Sequence, residues 1–447
     1  MGRCDRSCGA PFTLSLARGK DSQMPNDDPS PVALARALAK AGRTAEAAQV
    51  VARLLREQFG LAGGHFVINS DIYSLNSLNG TFDAGGRKLF FKFHQEENEG
   101  AMSGEYYRAR LLADAGLPVD LPLHVSTEPG RQILVYQRRT DPRFADLLRK
   151  LEFSGDDFGA ALTAERGLNA RTMAVHEKTL HAITPAQSSA EPIHRLFHER
   201  LITPGQPGVL GGRFTSFYQD KPFALPGMTL DWQQLRGLTC IVNGVRYDQT
   251  LGQLFDEAFV RLRPDRLADN GGVTAHGDAH NANVWFSADG LSLFDPAFAG
   301  SHVPALLAEV KTTFHNVFAH PLWLYEPGEA ANRYQARVRA DAGTLLIEHD
   351  WRPSAVRIGL LHLKAEQIWK PLLALLQARG LLPADWRRVM KLALFLCPTL
   401  VMNLRAGAVG GAHNPISSAI GLATAVSMGA EPDRADTLSA MLDGSAP

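Results

Sequence analysis

The chain has 447 residues, 45% of them hydrophobic, with 46 Lys+Arg against 46 Asp+Glu, enough for two or three domains with a sizeable core. A net charge of zero without a basic tract argues against nucleic acid as a main partner, and apolar runs such as Leu392–Cys397 are far too short to span a bilayer. Four cysteines, Cys4, Cys8, Cys240 and Cys397, do not read as a disulfide framework, which agrees with a cytoplasmic protein.

In chain order, residues 1–30 are rich in Gly, Asp, Ser and Pro and read as a disordered lead-in, with Phe12–Ala17 too short for a signal-peptide core. Residues 31–60 read as one or two amphipathic helices with a break at Ala41-Gly42-Arg43-Thr44. Three short strands follow, His65–Ile68, Ser77–Phe82 and Lys88–Phe93, punctuated by turn signals at Asn79-Gly80 and Ala84-Gly85-Gly86. Lys92 falls in the third, an apolar run where a lone charge is costly unless paired. The loop Asn69–Asn76 has no Gly-rich cradle; Ser74, Asn76 and Ser77 offer it hydroxyl, amide or backbone N–H groups for an anion, or serve an ordinary hairpin loop.

Asn98–Ala115 reads as a helix with Glu105 in its first half, and the strand pair Leu121–Ser126 and Ile133–Tyr136 turns at Glu128-Pro129-Gly130. From 141 onward the chain is mainly helical. The stretch 185–250, dense in Pro, Gly and aromatics, reads as an insertion, with a small hairpin over Ile241–Tyr247 around Asn243-Gly244. Helices are expected over Val303–Phe318, Ala330–Asp350, Ala355–Arg379, Ala384–Leu404 and Ser417–Met428.

The most informative stretch is His276-Gly277-Asp278-Ala279-His280-Asn281-Ala282-Asn283, set between the strand-like runs Val273–Ala275 and Val284–Phe286 and followed by Leu293-Phe294-Asp295-Pro296. Phosphoryl transfer from ATP asks for this set: a carboxylate to orient a hydroxyl, and an amide oxygen plus a second carboxylate to hold Mg²⁺. On that reading Asp278 accepts from the acceptor hydroxyl, and Asn283 and Asp295 coordinate metal. A second reading takes His276, Asp278 and His280 as three ligands for Zn²⁺ or Fe²⁺ in a metal-dependent hydrolase.

The segment resembles the Brenner-type catalytic loop of the aminoglycoside phosphotransferase and choline kinase superfamily, small-molecule kinases with a protein-kinase-like fold. Gly277 and His280 stand where protein kinases carry Arg and Lys, and Asp-Pro-Ala at 295–297 is similar to the version in fructosamine kinases. The resemblance implies an α+β, bilobal fold with a small antiparallel β lobe binding ATP over 61–140 and a large, mainly helical catalytic and substrate-binding lobe over 141–447. It implies ATP and Mg²⁺ as cofactors and a small-molecule hydroxyl as acceptor. It further implies Lys92 on the phosphates, Glu105 orienting that Lys, Ser77 near phosphate, and Tyr136, Gln137 and Arg138 in a hinge that touches adenine through backbone groups. The family often has an Asp where Pro304-Ala305-Leu306 stands here, with Glu309 the nearest acid. A catalytically quiet binding protein of the same fold is the alternative within the resemblance.

The acceptor is the least constrained part. From Ser301 to Pro447 there are fourteen Lys+Arg against twelve Asp+Glu, without the acidic cluster that a polycationic aminoglycoside asks for. The aromatics and imidazoles just past Asp295, among them His302, His315, Trp323 and Tyr325, suit packing better than stacking on a ligand.

Overall fold

The computed structural model describes residues 29–69, 77–94, 101–319, 321–408 and 413–447. All but the last two positions of the expected lead-in therefore lie outside it, as do Ser74 and Asn76. The described chain opens on two helices, α1 (Pro31–Lys40), whose first turn is capped by the Ser30 hydroxyl, and α2 (Thr44–Phe59), which stops at Gly60 in the left-handed region, φ 66°. They bury Val32, Ala35, Val51, Leu54 and Leu55 against one face of a sheet.

That sheet is antiparallel and comprises β1 (Gly63–Ile68), β2 (Ser77–Ala84), β3 (Arg87–His94), β4 (His124–Ser126) and β5 (Ile133–Gln137), in the order β1-β2-β3-β5-β4. Between β3 and β4 runs α3 (Ala101–Ala115). Alternation along β3 puts Leu89, Phe91 and Phe93 into the core with α1 and α2, so the pleat sends Lys92 to the opposite face. There the rest of the chain packs.

The remainder is mainly helical, and the fold is α+β. In order come α4 (Phe144–Ser154), α5 (Gly159–Thr179) and α6 (Pro185–Ala190). The hairpins β6 (Ile202–Thr203) with β7 (Gln206–Leu210), β8 (Phe223–Leu225) with β9 (Met228–Leu230), and β10 (Thr239–Val242) with β11 (Val245–Tyr247) follow, interleaved with α7 (Gly212–Phe217) and α8 (Trp232–Arg236). Beyond α9 (Leu251–Arg261) lie four strands, β12 (Gly272–Ala275), β13 (Val284–Ser287), β14 (Gly290–Leu293) and β15 (Gly300–Pro304), paired β12 with β15 and β13 with β14.

The short helix α10 (Val310–Thr313) continues as a π-helical turn, Phe314–Phe318. Next come α11 (Ala330–Arg333), β16 (Ala336–Asp341), β17 (Thr344–His349), α12 (Ala355–Lys364), α13 (Lys370–Ala378), α14 (Trp386–Val401), α15 (Pro415–Gly429) and α16 (Thr437–Ser445). The faces of α14 and α15 form the centre of the larger core, around Phe395, Leu396, Ala423 and Val426, all fully buried or nearly so. No helix among the described residues is long and apolar enough to cross a membrane. Cys240 and Cys397 are free and buried.

Two helical expectations are corrected. The segment 330–350 is helical only as far as Arg333 and is otherwise the hairpin β16–β17, because Ala342 and Gly343 both take positive φ (44° and 81°) and Leu345 and Ile347 alternate into the core. Likewise 303–304 close β15, and helix begins only at Val310.

Candidate active site

The loop 276–283 leaves the buried strand β12 through Gly277, at φ 77°, where a Cβ would come within 2.8 Å of the Phe298 carbonyl oxygen. Only glycine fits there without strain. His276 is buried and locked by the backbone: Nε2 donates to the Phe294 carbonyl at 2.9 Å, and Nδ1 accepts from the Asp278 N–H at 3.3 Å. Burial lowers its pKa and keeps the ring neutral. With both ring nitrogens engaged, His276 is not a metal ligand, and among the described residues no three His, Cys, Asp or Glu side chains gather as a metal site. The three-ligand hydrolase reading is therefore set aside.

Asn283 closes the loop. Its Nδ2 donates to the Asp278 carbonyl at 2.9 Å, its N–H donates to the His280 carbonyl at 2.7 Å, and its own carbonyl accepts from Phe294 N–H at 3.0 Å. The last bond brings the segment carrying Asp295 alongside. Asn281 N–H donates to Asn316 Oδ1 at 2.9 Å, so the π-helical turn anchors the loop from behind. Asp295 itself sits at φ 58°, a strained position for a residue other than glycine. Its carboxylate meets Lys92 Nζ at 2.6 Å. Arg108 of α3 donates to the Ala297 carbonyl just beyond, tying that helix to the same segment.

Asp278 takes no part in the Lys92–Asp295 contact. Its Oδ1 is buried and has no hydrogen-bond partner, while Lys311 Nζ stands 3.7 Å off and His280 Nε2 3.9 Å off. Burial lowers the pKa of both His280 and Lys311, with Asp278 opposing the shift in each. The arrangement offers, in one place, a carboxylate oxygen seeking a donor, a carboxylate held by a cation, and an amide. The Oδ1 of that Asn283 amide has no protein partner among the described residues.

Other expected positions fall less centrally. Glu105 lies in α3 and Ser77 begins β2, but their side chains are outside the described residues. Tyr136 pairs with Phe90 across β3 and β5. The Arg138 N–H donates to the Lys88 carbonyl at 3.0 Å, so that donor is already engaged in the sheet. Glu309 does not reach the loop backbone. It is buried with Lys364 Nζ at 3.0 Å and the Thr312 hydroxyl at 2.8 Å, facing His176 at 3.6 Å. Burial opposes its ionisation, yet Lys364 and His176 outweigh that and hold it down at about 2.

Sequence reasoning missed Lys311 and Asn316, and weighed His315 only for packing or stacking. A signal was present, since Lys311 is the lone charge in the run Val310–Phe314, the same anomaly that singled out Lys92.

Among solved structures the chain is similar to a thermostable mutant of aminoglycoside phosphotransferase APH(4)-Ia in ternary complex with ADP and hygromycin B. Identity there is 15% and the TM-score 0.43, over 85% of this chain and 99% of that one. It is also similar to spectinomycin phosphotransferase APH(9)-Ia in complex with ADP and spectinomycin (12% identity, TM-score 0.36, 85% of this chain and 98% of that one). A third is choline kinase from Cryptosporidium parvum Iowa II (7% identity, TM-score 0.38, 85% of this chain and 94% of that one). No protein-family model and no curated protein matches the chain.

Proposed function

We propose that the protein is an ATP- and Mg²⁺-dependent phosphotransferase that moves the γ-phosphoryl group of ATP to a hydroxyl of a small molecule. The observation that carries this reading is the contact of Lys92 with Asp295 at 2.6 Å beside a loop that presents Asp278 and Asn283. In such a site Lys92 grips the phosphates, with Glu105 as its orienting acid, and the sheet region 61–140, including Ser77, the backbone at Tyr136 and the carbonyl of Arg138, takes the nucleotide. The region 141–447 supplies the acceptor side.

Asn283 Oδ1 and the Asp295 carboxylate are hard oxygen donors, as few in number as Mg²⁺ takes when phosphates and waters complete its shell. They fit that ion, which when bound neutralises phosphate charge. Asp278 Oδ1 accepts the hydrogen bond of the acceptor hydroxyl and then its proton. As the acceptor oxygen bonds to the γ-phosphorus, the bond from phosphorus to the β,γ-bridging oxygen breaks and its electron pair leaves with ADP. Positioning matters more here than complete proton removal.

The test is ADP formation from Mg-ATP across sugars, nucleosides, antibiotics and small alcohols, with calorimetric nucleotide binding alongside. Binding without turnover on any acceptor would favour the quiet binding protein; absence of binding would remove the reading altogether.

A further inference from the structure

Behind Asp278 lies a second cation that the reading above leaves unused. Lys311 is 3% exposed. Its ammonium donates to His315 Nε2 at 2.8 Å, and the other ring nitrogen of His315 meets the Tyr325 hydroxyl. Because Nε2 accepts, Nδ1 carries the proton and donates to the Tyr325 oxygen, so the chain ammonium–imidazole–hydroxyl runs in one direction. Burial holds the His315 pKa well below its ordinary value, which keeps the ring the acceptor that Lys311 needs. The π-helical turn after α10 carries this residue, and insertions of that kind recur where a helix serves a site.

What Lys311 faces on its other side is the buried, unpartnered Oδ1 of Asp278, 3.7 Å away. That separation is too long for a hydrogen bond. The buried pair Lys364–Glu165 is also 3.7 Å apart, but there the ammonium is satisfied by Asn169 and Glu309, whereas Asp278 Oδ1 is buried with no hydrogen-bond partner and keeps its desolvation cost. Here both groups are held short of contact, the cation by His315 and Tyr325 and the carboxylate by a loop whose backbone is fixed at Asn281 and Asn283. The buried Asp278 Oδ1 is thus left without the donor that such an oxygen asks for.

Resting on the proposed phosphotransfer, we infer that Lys311 is a further catalytic residue, one that donates to the transferred phosphoryl group beside Asp278. An acceptor hydroxyl bonded to Asp278 Oδ1 has its oxygen about 2.7 Å from that atom, with the incoming phosphorus roughly 3–3.5 Å further on. The nonbridging phosphoryl oxygens then fall within reach of a cation 3.7 Å from the same carboxylate oxygen. The charge changes agree. Before transfer Lys311 balances ionised Asp278. When the acceptor oxygen–phosphorus bond forms, the bond to the bridging oxygen breaks with its pair going to ADP, and the hydroxyl proton passes to Asp278. Lys311 then faces a neutral acid and the phosphoryl charge replaces the one it lost. This is an interaction stronger in the transition state than in the ground state. Arg200 and Arg213 also act on Lys311, and Arg213 is anchored to the Leu400 and Val401 carbonyls at the end of α14, so the acceptor side is positive around the arriving group.

The test uses the full chain with Mg-ADP, with and without aluminium fluoride, which occupies the place of the transferred phosphoryl. The variants are Lys311→Met and Lys311→Gln. Wild-type protein is expected to bind Mg-ADP more tightly when fluoride is present. Both variants should cut that gain by about tenfold or more, leave Mg-ADP affinity without fluoride within about twofold, and melt no earlier than wild type. Turnover on a working acceptor should fall about a hundredfold. Retention of the fluoride gain in either variant overturns the inference, as does wild-type protein that binds Mg-ADP with no gain from fluoride. If both variants lose the melting transition, Lys311 is a structural counter-charge and the inference is overturned. Wild-type protein that binds no Mg-ADP overturns the phosphotransfer reading itself, and this with it.

Discussion

Lys92 Nζ and Asp295 Oδ1 stand 2.6 Å apart although 203 residues separate them along the chain. One belongs to the five-stranded sheet and the other to the segment after β14, so the contact joins the two halves of the candidate site. Replacing Asp295 with Asn removes the charge but not the shape, and Asn tolerates the φ of 58° better than most residues. Turnover in near-neutral buffer should fall by about two orders of magnitude or more, with the protein still folded. Wild-type turnover in a folded Asp295→Asn protein would show the metal assignment to be wrong.

Asp278→Ala and Asp278→Asn address the proposed base. Each should lower turnover by roughly two orders of magnitude while nucleotide affinity changes little, because the Lys92–Asp295 contact does not involve Asp278. Calorimetry paired with a turnover assay separates the two effects. Loss of nucleotide binding in Asp278→Ala would make the residue structural.

Gly277 is open to a conformational test. Gly277→Ala adds a Cβ 2.8 Å from the Phe298 carbonyl oxygen at a φ of 77°. The strain should destabilise the protein by about 1–3 kcal/mol and displace Asp278 enough to lower turnover. Denaturant midpoints measure the first effect; an unchanged midpoint contradicts the tight approach.

A buried charge cluster gives a fourth expectation. Lys364 lies 3.0 Å from Glu309 and 3.7 Å from Glu165, all three buried. Burial works against its ammonium, and the two carboxylates more than offset this. Lys364→Met leaves both acids without their cation and should cost about 3–5 kcal/mol. Adding Glu309→Gln should restore part of that loss, and a double-variant cycle by chemical denaturation reads the coupling.

Stability should also fall on mild acidification. Burial pushes His194, His349 and His413 each down to about 4. The unfolded chain, with His near about 6.5, therefore binds protons that the folded chain refuses between those values. Stability is complete above about 6.5 and is lost as pH drops toward 4, each group adding up to about 1.4 kcal/mol per pH unit to the slope. Denaturant midpoints measured across that window check it; a flat profile would mean that these rings are protonated in the folded state.

The sheet was legible because its strands are apolar runs of strand length, β2 and β3 being joined at Gly85-Gly86, and the structure places β2, β3 and β5 almost where those runs lie. The Asn79-Gly80 turn signal was wrong, since both residues lie inside β2, paired with Lys92 and Phe91. Helices were read from composition alone over 330–350, where the alternation at Leu345 and Ile347 and the Ala342-Gly343 turn were the stronger cue. Within the site, the loop residues could be named because they are close in sequence. That Lys92 meets Asp295, or that Lys311 and Asn316 back the loop, depends on how distant elements pack, and periodicity carries no information about that.

The strand order β11-β10-β17-β16 has a practical side. β10 runs parallel to β17, pairing Cys240 with Leu345 and Val242 with Ile347. The small hairpin around Asn243-Gly244 is therefore a lid on the hydrogen-bonding edge of β17. Trimming the chain there, as one does to shorten a loop for crystallisation, would uncover a row of unpaired N–H and C=O groups alongside apolar Leu345 and Ile347. A bare edge of that kind recruits a strand from another molecule. The shortened protein should then come off a sizing column as aggregates, although every residue of the candidate site had been left in place.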